Sequence, residues 1–304
     1  MRIAVTRERT DGERRVAISP EATRVLVAAG HDLVIESGAG SAAGMRDADY
    51  ESAGATIAPD RVTTVDRAGL LISVHGPTSP DDLAEVTSDH VVIALLDPVW
   101  NPAAAKALAA TGATAYSLDL VPRSTRAQSM DVLSSTATVA GTQAVLTAAY
   151  RLPKLMPLMI TAAGTIPPAR LVVLGAGVAG LQAIATARRL GAVVEGFDIR
   201  EEALEQIRSV GAKSINVPVV EDGADQAVHN QTALTPHLAE ADIVITAAQI
   251  PGRRSPILVT EAMVSAMKPG AMIIDLAAIR GGNCELTRAD EEVTHDGVTI
   301  LGPT

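Results

Sequence analysis

The chain contains a single cysteine, Cys284, among 304 residues. No disulfide framework can form, which fits a reducing compartment. A lone cysteine near a turn reads as an ordinary small residue. Aromatic residues are only 2% of the chain: Trp100, Phe197, Tyr50, Tyr116 and Tyr150. That argues against a base-stacking platform and leaves Ala, Val, Leu and Ile to fill the core, as in tight α/β layers. Positive charge is also scarce. A net charge of −10 argues against a phosphate-tracking surface, so no nucleic-acid partner is expected. The uncharged stretch Leu171 to Ala187 is broken by three glycines. It reads as strand, turn and helix, so direct membrane insertion is not expected. The N-terminal Arg2–Thr6 reads as a strand and not as a signal peptide. The six histidines show no metal-ligand spacing, and no G-x-S-x-G elbow is present.

What the chain does have is alternation. Short β-branched runs at 2–6, 31–36, 69–74, 90–96 and 113–118 are separated by helical patterns at 20–29, 47–54, 80–86 and 101–111. The second half repeats the style, with strands at 170–174, 193–198, 214–217, 242–247, 271–276 and 297–301 and helices at 178–190, 201–210, 233–240 and 260–267. Continuous apolar strands indicate parallel sheets covered on both faces. The expected fold is α/β: two Rossmann-like parallel-sheet domains, 1–133 and 134–304, flanking a cofactor cleft. The second begins with a bridging helix near 135–151. The stretch 155–170, with three prolines, reads as an apolar connector.

The most informative segment is "ARLVVLGAGVAGLQAIATARRLGAVVEGFDIR", 169–200. A buried strand leads into Gly175-Ala176-Gly177-Val178-Ala179-Gly180, a helix follows, and a second strand ends in Asp198. Each part has a mechanical job in binding a dinucleotide. Gly175 allows the tight turn, Gly177 lets a pyrophosphate approach the backbone, and Gly180 lets helix and strand pack closely. The helix N-terminus offers N–H groups and partial positive charge. Asp198 can accept from a ribose diol and repels a 2′-phosphate, which favours NAD(H); Arg200 just beyond can accommodate that phosphate or lie along the adenosine edge. A second glycine stretch, "ESGAGSAAGM" at 36–45, has the wrong spacing, and Asp47, Asp49 and Glu51 follow it, which disfavours a phosphate.

Acid–base machinery is sparse. Arg14 and Arg15 after the first strand can bind a substrate carboxylate or form a solvated loop. A cofactor site without such machinery favours direct hydride transfer between two nicotinamide rings, which needs positioning and exclusion of water. The polar junction "PRSTRAQSMDVLSS", 122–135, then has two readings. Arg123, Gln128 and Asp131 can hold the nicotinamide end, since its amide wants a donor and an acceptor. Alternatively the segment is a capping loop, with Ser129 or Asp131 as helix N-cap.

The segment "VPRSTRAQSMDVLSSTATVAG", 121–141, together with "TAAGTIPPARLVVLGAGVAGLQAIATARRLGA", "IPGRRSPILVTEAMVSAMKPGAMIIDLA" and "RGGNCELT", resembles the NAD(H)-binding component (domain I, the first portion of the alpha subunit) of proton-translocating, Re/Si-specific nicotinamide nucleotide transhydrogenase. The resemblance covers nearly the whole chain. It implies an NAD(H)-binding homodimer that docks onto an NADP(H)-binding component, with hydride passing directly between the nicotinamides and a membrane component coupling this to proton movement. It implies a cytoplasmic protein attached peripherally to the inner membrane through its partners. The family's Arg–Gln–Asp loop falls on Arg123, Gln128 and Asp131, with Ser134 after it. Further cofactor contacts fall on Val178, Asp198-Ile199-Arg200, Ile250 and Gln231.

Two departures accompany the resemblance. The family's mobile loop is longer and carries a tyrosine, whereas 219–242 is shorter and has none. Family members also continue past the position of Thr304, with a segment that returns to the first domain. The rival of the same fold is alanine dehydrogenase. Its substrate arginine matches Arg15, but its lysine falls on His75, its catalytic histidine near Leu95-Leu96 and its aspartate on Ile279, which removes the proton transfer of amino-acid oxidation. A soluble amino- or keto-acid dehydrogenase of altered specificity and a non-catalytic NAD-binding protein are the remaining alternatives.

Overall fold

The computed structural model describes residues 1–218 and 223–304. The chain packs as two compact units, Met1–Leu133 and Ser134–Thr304.

In the first unit the apolar runs form β1 (Arg2–Val5), β2 (Asp32–Glu36), β3 (Thr56–Ala58), β4 (Leu70–His75), β5 (Val91–Leu95) and β6 (Thr114–Ser117). All pair in parallel in the order β3-β2-β1-β4-β5-β6. The helices between them are α1 (Pro20–Ala28), α2 (Asp47–Ser52), α3 (Arg61–Val65), α4 (Pro80–Ala84) and α5 (Pro102–Ala110). Their starts follow local chemistry. Ser19, Asp60, Ser79 and Asn101 each accept from a first-turn backbone N–H. Proline, which has no N–H to leave unpaired, opens α1, α4 and α5. The periodic pattern does not reveal β3 and α3, because three- and five-residue elements are too short to show a period.

The second unit begins within the long helix α6 (Val132–Arg151) and continues with β7 (Met159–Thr161), β8 (Gly164–Ile166), β9 (Arg170–Leu174), α7 (Val178–Arg189), β10 (Val193–Phe197), α8 (Glu201–Ser209) and β11 (Lys213–Ser214). Then come α9 (Gly223–Glu240), β12 (Ile243–Thr246), α10 (Glu261–Ser265), β13 (Met272–Asp275), β14 (Glu292–His295) and β15 (Val298–Leu301). The sheet order is β11-β10-β9-β12-β13-β15-β14, parallel except for β14, which runs antiparallel to β15. Alternate residues of each strand feed two cores. Leu171, Val173, Ile243 and Ile245 pack with Val145, Ile184 and Ile207 of α6, α7 and α8. Val172, Leu174, Val244 and Ile273 pack with Leu234, Leu238 and Met263 of α9 and α10. Both faces being covered is why these strands are apolar without alternation.

Three expectations change. The connector 155–170 contains the hairpin β7–β8. The last strand gains the antiparallel edge partner β14. The helix expected from 233 starts at Gly223, running through Pro236 without breaking. The expected short loop at 219–242 therefore divides into two parts: 219–222 lie outside the described residues, and the remainder is mostly α9.

Candidate functional site

Each sheet reverses direction beside its first strand: the chain moves outward from β9 to β10 and β11, then crosses back to β12. At such a switch point the loops leaving the carboxyl ends of adjacent strands diverge and open a crevice. In the second unit β9 ends at Leu174 and α7 starts at Val178, so Gly175-Ala176-Gly177 make the whole turn. Gly175 has φ +99°, and a Cβ there would stand 2.7 Å from the Ala248 nitrogen. Gly177 is the N-cap of α7 and no side chain caps that helix. A Cβ on Gly177 would meet nothing within 4 Å, so the backbone faces open space that a side chain would fill. At Gly180 a Cβ would overlap the Gly175 carbonyl oxygen, and at Gly141 of α6 one would overlap the Ala179 carbonyl oxygen. Gln182 of α7 also donates to the Thr142 hydroxyl at 3.1 Å. The bare N-terminus of α7 is thus held by β9 on one side and α6 on the other. A bare helix N-terminus in a cradle without side chains suits a diphosphate.

Asp198 follows β10. Its Oδ2 accepts from the Ala176 nitrogen at 2.8 Å, so it latches the glycine turn. Arg200 takes the rest: its backbone nitrogen and Nε donate to Oδ1 and its Nη2 to Oδ2, all at 3.0 Å. Burial alone would raise the Asp198 pKa, but the Arg200 bonds and charge and the Ala176 N–H together hold it below the ordinary range. A carboxylate has about four acceptor positions, and these contacts use them all. A diol approaching Asp198 therefore competes with Arg200. Apolar side chains stand exposed at the same edge: Val178 after β9, Ile199 after β10, Ile250 after β12 and Ile279 after β13.

Two residues that the motif reading missed hold the far side of this edge. Asp275, fully buried at the end of β13, accepts from the nitrogens of Ala277, Asn283 and Cys284 and from the Thr287 hydroxyl at 2.7–3.0 Å. Asn283, also fully buried, accepts from the Ala248 nitrogen at 3.0 Å and donates to the carbonyls of Ala248 and Pro256 at 2.8 Å. It fixes the loop carrying Ile250, whose backbone lies against Gly175. The lone Asn of "RGGNCELT" was the available signal. Cys284 is buried, and burial pushes its thiol up, as an ordinary core residue.

Arg123 and Gln128 are exposed, with Gln128 opening a short 3₁₀ turn. Asp131 directly precedes α6, and Ser134 lies in its first turn. Gln231 on α9 donates to the Ile257 carbonyl at 2.9 Å.

At the equivalent edge of the first unit, charged side chains pair with one another beside a cavity of about 200 Å³ lined by Thr6, Glu8, Arg9, Ser73 and His75. Arg15 grips Glu13 with Nε and Nη2 at 2.9 and 2.6 Å, and His75 Nε2 lies 2.8 Å from the same carboxylate. Burial would raise Glu13, but the Arg15 bonds and charge and the His75 bond override it and hold its pKa at about 2. Glu8 is pushed up by burial, against bonds from the nitrogens of Val74 and His75. In the glycine stretch after β2 the Gly38 nitrogen donates to Asp47 at 2.9 Å, as does the Ser37 hydroxyl at 2.8 Å. The donor a phosphate would need is already used. Among the described residues there is no metal-holding cluster, and no helix is long and apolar enough to cross a membrane.

Residues 4–140 match the family model for the alanine dehydrogenase/PNT N-terminal domain, and residues 144–304 match that for the alanine dehydrogenase/PNT C-terminal domain. The chain is 43% identical to the first portion of NAD(P) transhydrogenase subunit alpha from Rhodospirillum rubrum, over 100% of this chain and 84% of that protein. The alanine dehydrogenase of Halomonas elongata is 32% identical, over 98% of this chain and 79% of its own length. The crystal structure of transhydrogenase from Sinorhizobium meliloti superposes with a TM-score of 0.91 at 44% identity, covering 100% of this chain and 86% of that one. By both of its halves, the chain belongs to the alanine dehydrogenase/PNT family.

Proposed function

We propose that this chain is the NAD(H)-binding component of a proton-translocating transhydrogenase. The observation that carries the reading is the uncapped start of α7, three residues after β9, latched by Asp198. When bound, NADH supplies the hydride that passes to NADP⁺ on a partner component. In this reading Gly175, Gly177, Val178, Ala179 and Gly180 receive the pyrophosphate, while Asp198, Ile199 and Arg200 receive the adenosine end. Asp198 would hold the ribose diol in place of the Arg200 fork, and its charge would discriminate against a 2′-phosphate. Ile250 and Gln231 add contacts, and Arg123, Gln128, Asp131 and Ser134 orient the nicotinamide end. None of these residues has to move a proton, which suits a transfer between two rings. Similarity to a subunit alpha supports a multi-component assembly. The proposal extends to a homodimer docked on an NADP(H)-binding and a membrane component, cytoplasmic and peripherally attached.

An amino-acid dehydrogenase would need groups for proton transfer, and its lysine and aspartate fall on His75 and Ile279 here. The test is hydride transfer from NADH to a thio-analogue of NADP⁺, with and without an NADP(H)-binding transhydrogenase component. Transfer only with that component is expected. NADH binding without transfer would overturn the reading and direct attention to an amino- and keto-acid panel.

A further inference from the structure

We propose that the second unit carries a separate pocket for a small oxyanion, the phosphate or carboxylate group of a soluble ligand, gripped by Arg254 and Arg288 with the Ser255 hydroxyl. The loops leaving β12 and β13 line a cavity of about 520 Å³ that includes these three residues. Arg254 and Arg288 against one lining carboxylate, Glu285, are out of keeping with a chain of net charge −10. That carboxylate is engaged elsewhere, accepting from the Glu261 nitrogen at 2.7 Å. Arg254 and Arg288 form no ion pair among the described residues.

Ser255 supplies the second, independent observation. It is 7% exposed, yet its Oγ has no hydrogen-bond partner. A buried hydroxyl without a partner is costly, and a ligand that accepts from it removes the cost. The pocket is also built from below. Ser255 donates its backbone nitrogen to the Arg280 carbonyl at 3.0 Å, and the Arg254 Nε would lie 3.4 Å from a Cβ on Gly281, so the two loops are in register. Asp275 anchors Thr287, the residue before Arg288. Guanidinium forks match the paired oxygens of carboxylate and phosphate. The volume exceeds that of a single phosphate, so the oxyanion is the charged end of a small organic molecule. Neither the glycine turn nor Asp198 lines this cavity.

Calorimetric titration of the whole chain with inorganic phosphate, and separately with succinate, at fixed ionic strength tests the assignment. Saturable binding of at least one is expected, unchanged by NADH. The two probes distinguish phosphate from carboxylate chemistry. Arg254→Ala/Arg288→Ala should weaken binding about tenfold or more, with the thermal midpoint used to verify folding. Ser255→Ala should weaken it a few-fold, about what one hydrogen bond contributes. No saturable heat from either probe, displacement by NADH, or full affinity in the double arginine variant would each overturn the proposal.

Discussion

The two units share the order of their first five strands, yet they finish the switch point differently. In the second unit three residues separate β9 from α7, and the helix start carries no side-chain cap. In the first, fourteen residues, 6–19, separate β1 from α1, and Ser19 caps the helix by accepting from the Ala22 nitrogen. The long charged segment also folds back into the crevice. Glu8 takes the nitrogens of Val74 and His75, Arg7 gives its nitrogen to Glu36, and Arg9 pairs with Asp82 at 3.1 Å. One topology thus serves two ends. A short glycine turn exposes a helix N-terminus to a ligand, whereas a long charged turn satisfies the edge internally. The shared strand order predicts a crevice, and the residues at the strand ends decide whether it stays open.

The sharpest way to break this contrast is to close the second switch point. Gly180→Ala places a Cβ on the Gly175 carbonyl. It should abolish NADH binding, by about 100-fold or more, since the helix can no longer reach the strand. Gly44→Ala in the first unit has open space around it at φ +79° and should cost only about 1 kcal/mol of stability with NADH binding intact. Equal effects on NADH binding would remove the distinction. Next is Asn283→Ala, which strands backbone groups of Ala248 and Pro256; denaturant titration should show about 2–4 kcal/mol lost. Asp198→Ala should weaken NADH binding by about tenfold and narrow the preference over NADPH; unchanged affinity would take Asp198 out of the site. Smallest is Glu13→Gln. The Glu13 carboxylate, ordinarily near 4.5, titrates at about 2 in the fold, so its stabilising effect is full above 4.5 and lost as pH falls toward 2. The difference in thermal midpoint between wild type and variant should shrink below pH 4.5, and a constant difference would show that the Arg15 and His75 contacts contribute nothing.

How much of this was legible in the sequence follows from distance along the chain. Gly175 to Asp198 lie in one contiguous strand–turn–helix–strand, so the glycine turn and its acid could be read locally. The alternation of β1, β2, β4 and β5 with their capped helices was legible for the same reason. The pairing of Glu13 with His75 spans 62 residues, and the Asn283 clamp on Ala248 spans 35. Such partners leave no periodicity, so the sequence left Arg15 open between a carboxylate binder and a solvated loop, whereas its fork is held by Glu13. The Asp198 carboxylate was similarly offered to a ribose, whereas its neighbour Arg200 fills it first. The hairpin β7–β8 was hidden because prolines and glycines in 155–170 signal a connector as readily as a turn between short strands.

The most direct test of the contrast is an equilibrium titration of the chain with NADH and with NADPH. One NADH per chain, bound at least about tenfold more tightly than NADPH and lost in Gly180→Ala, is the predicted result. Two nucleotides per chain, or equal affinity for both, would contradict an account in which the glycine switch point and one carboxylate define the site.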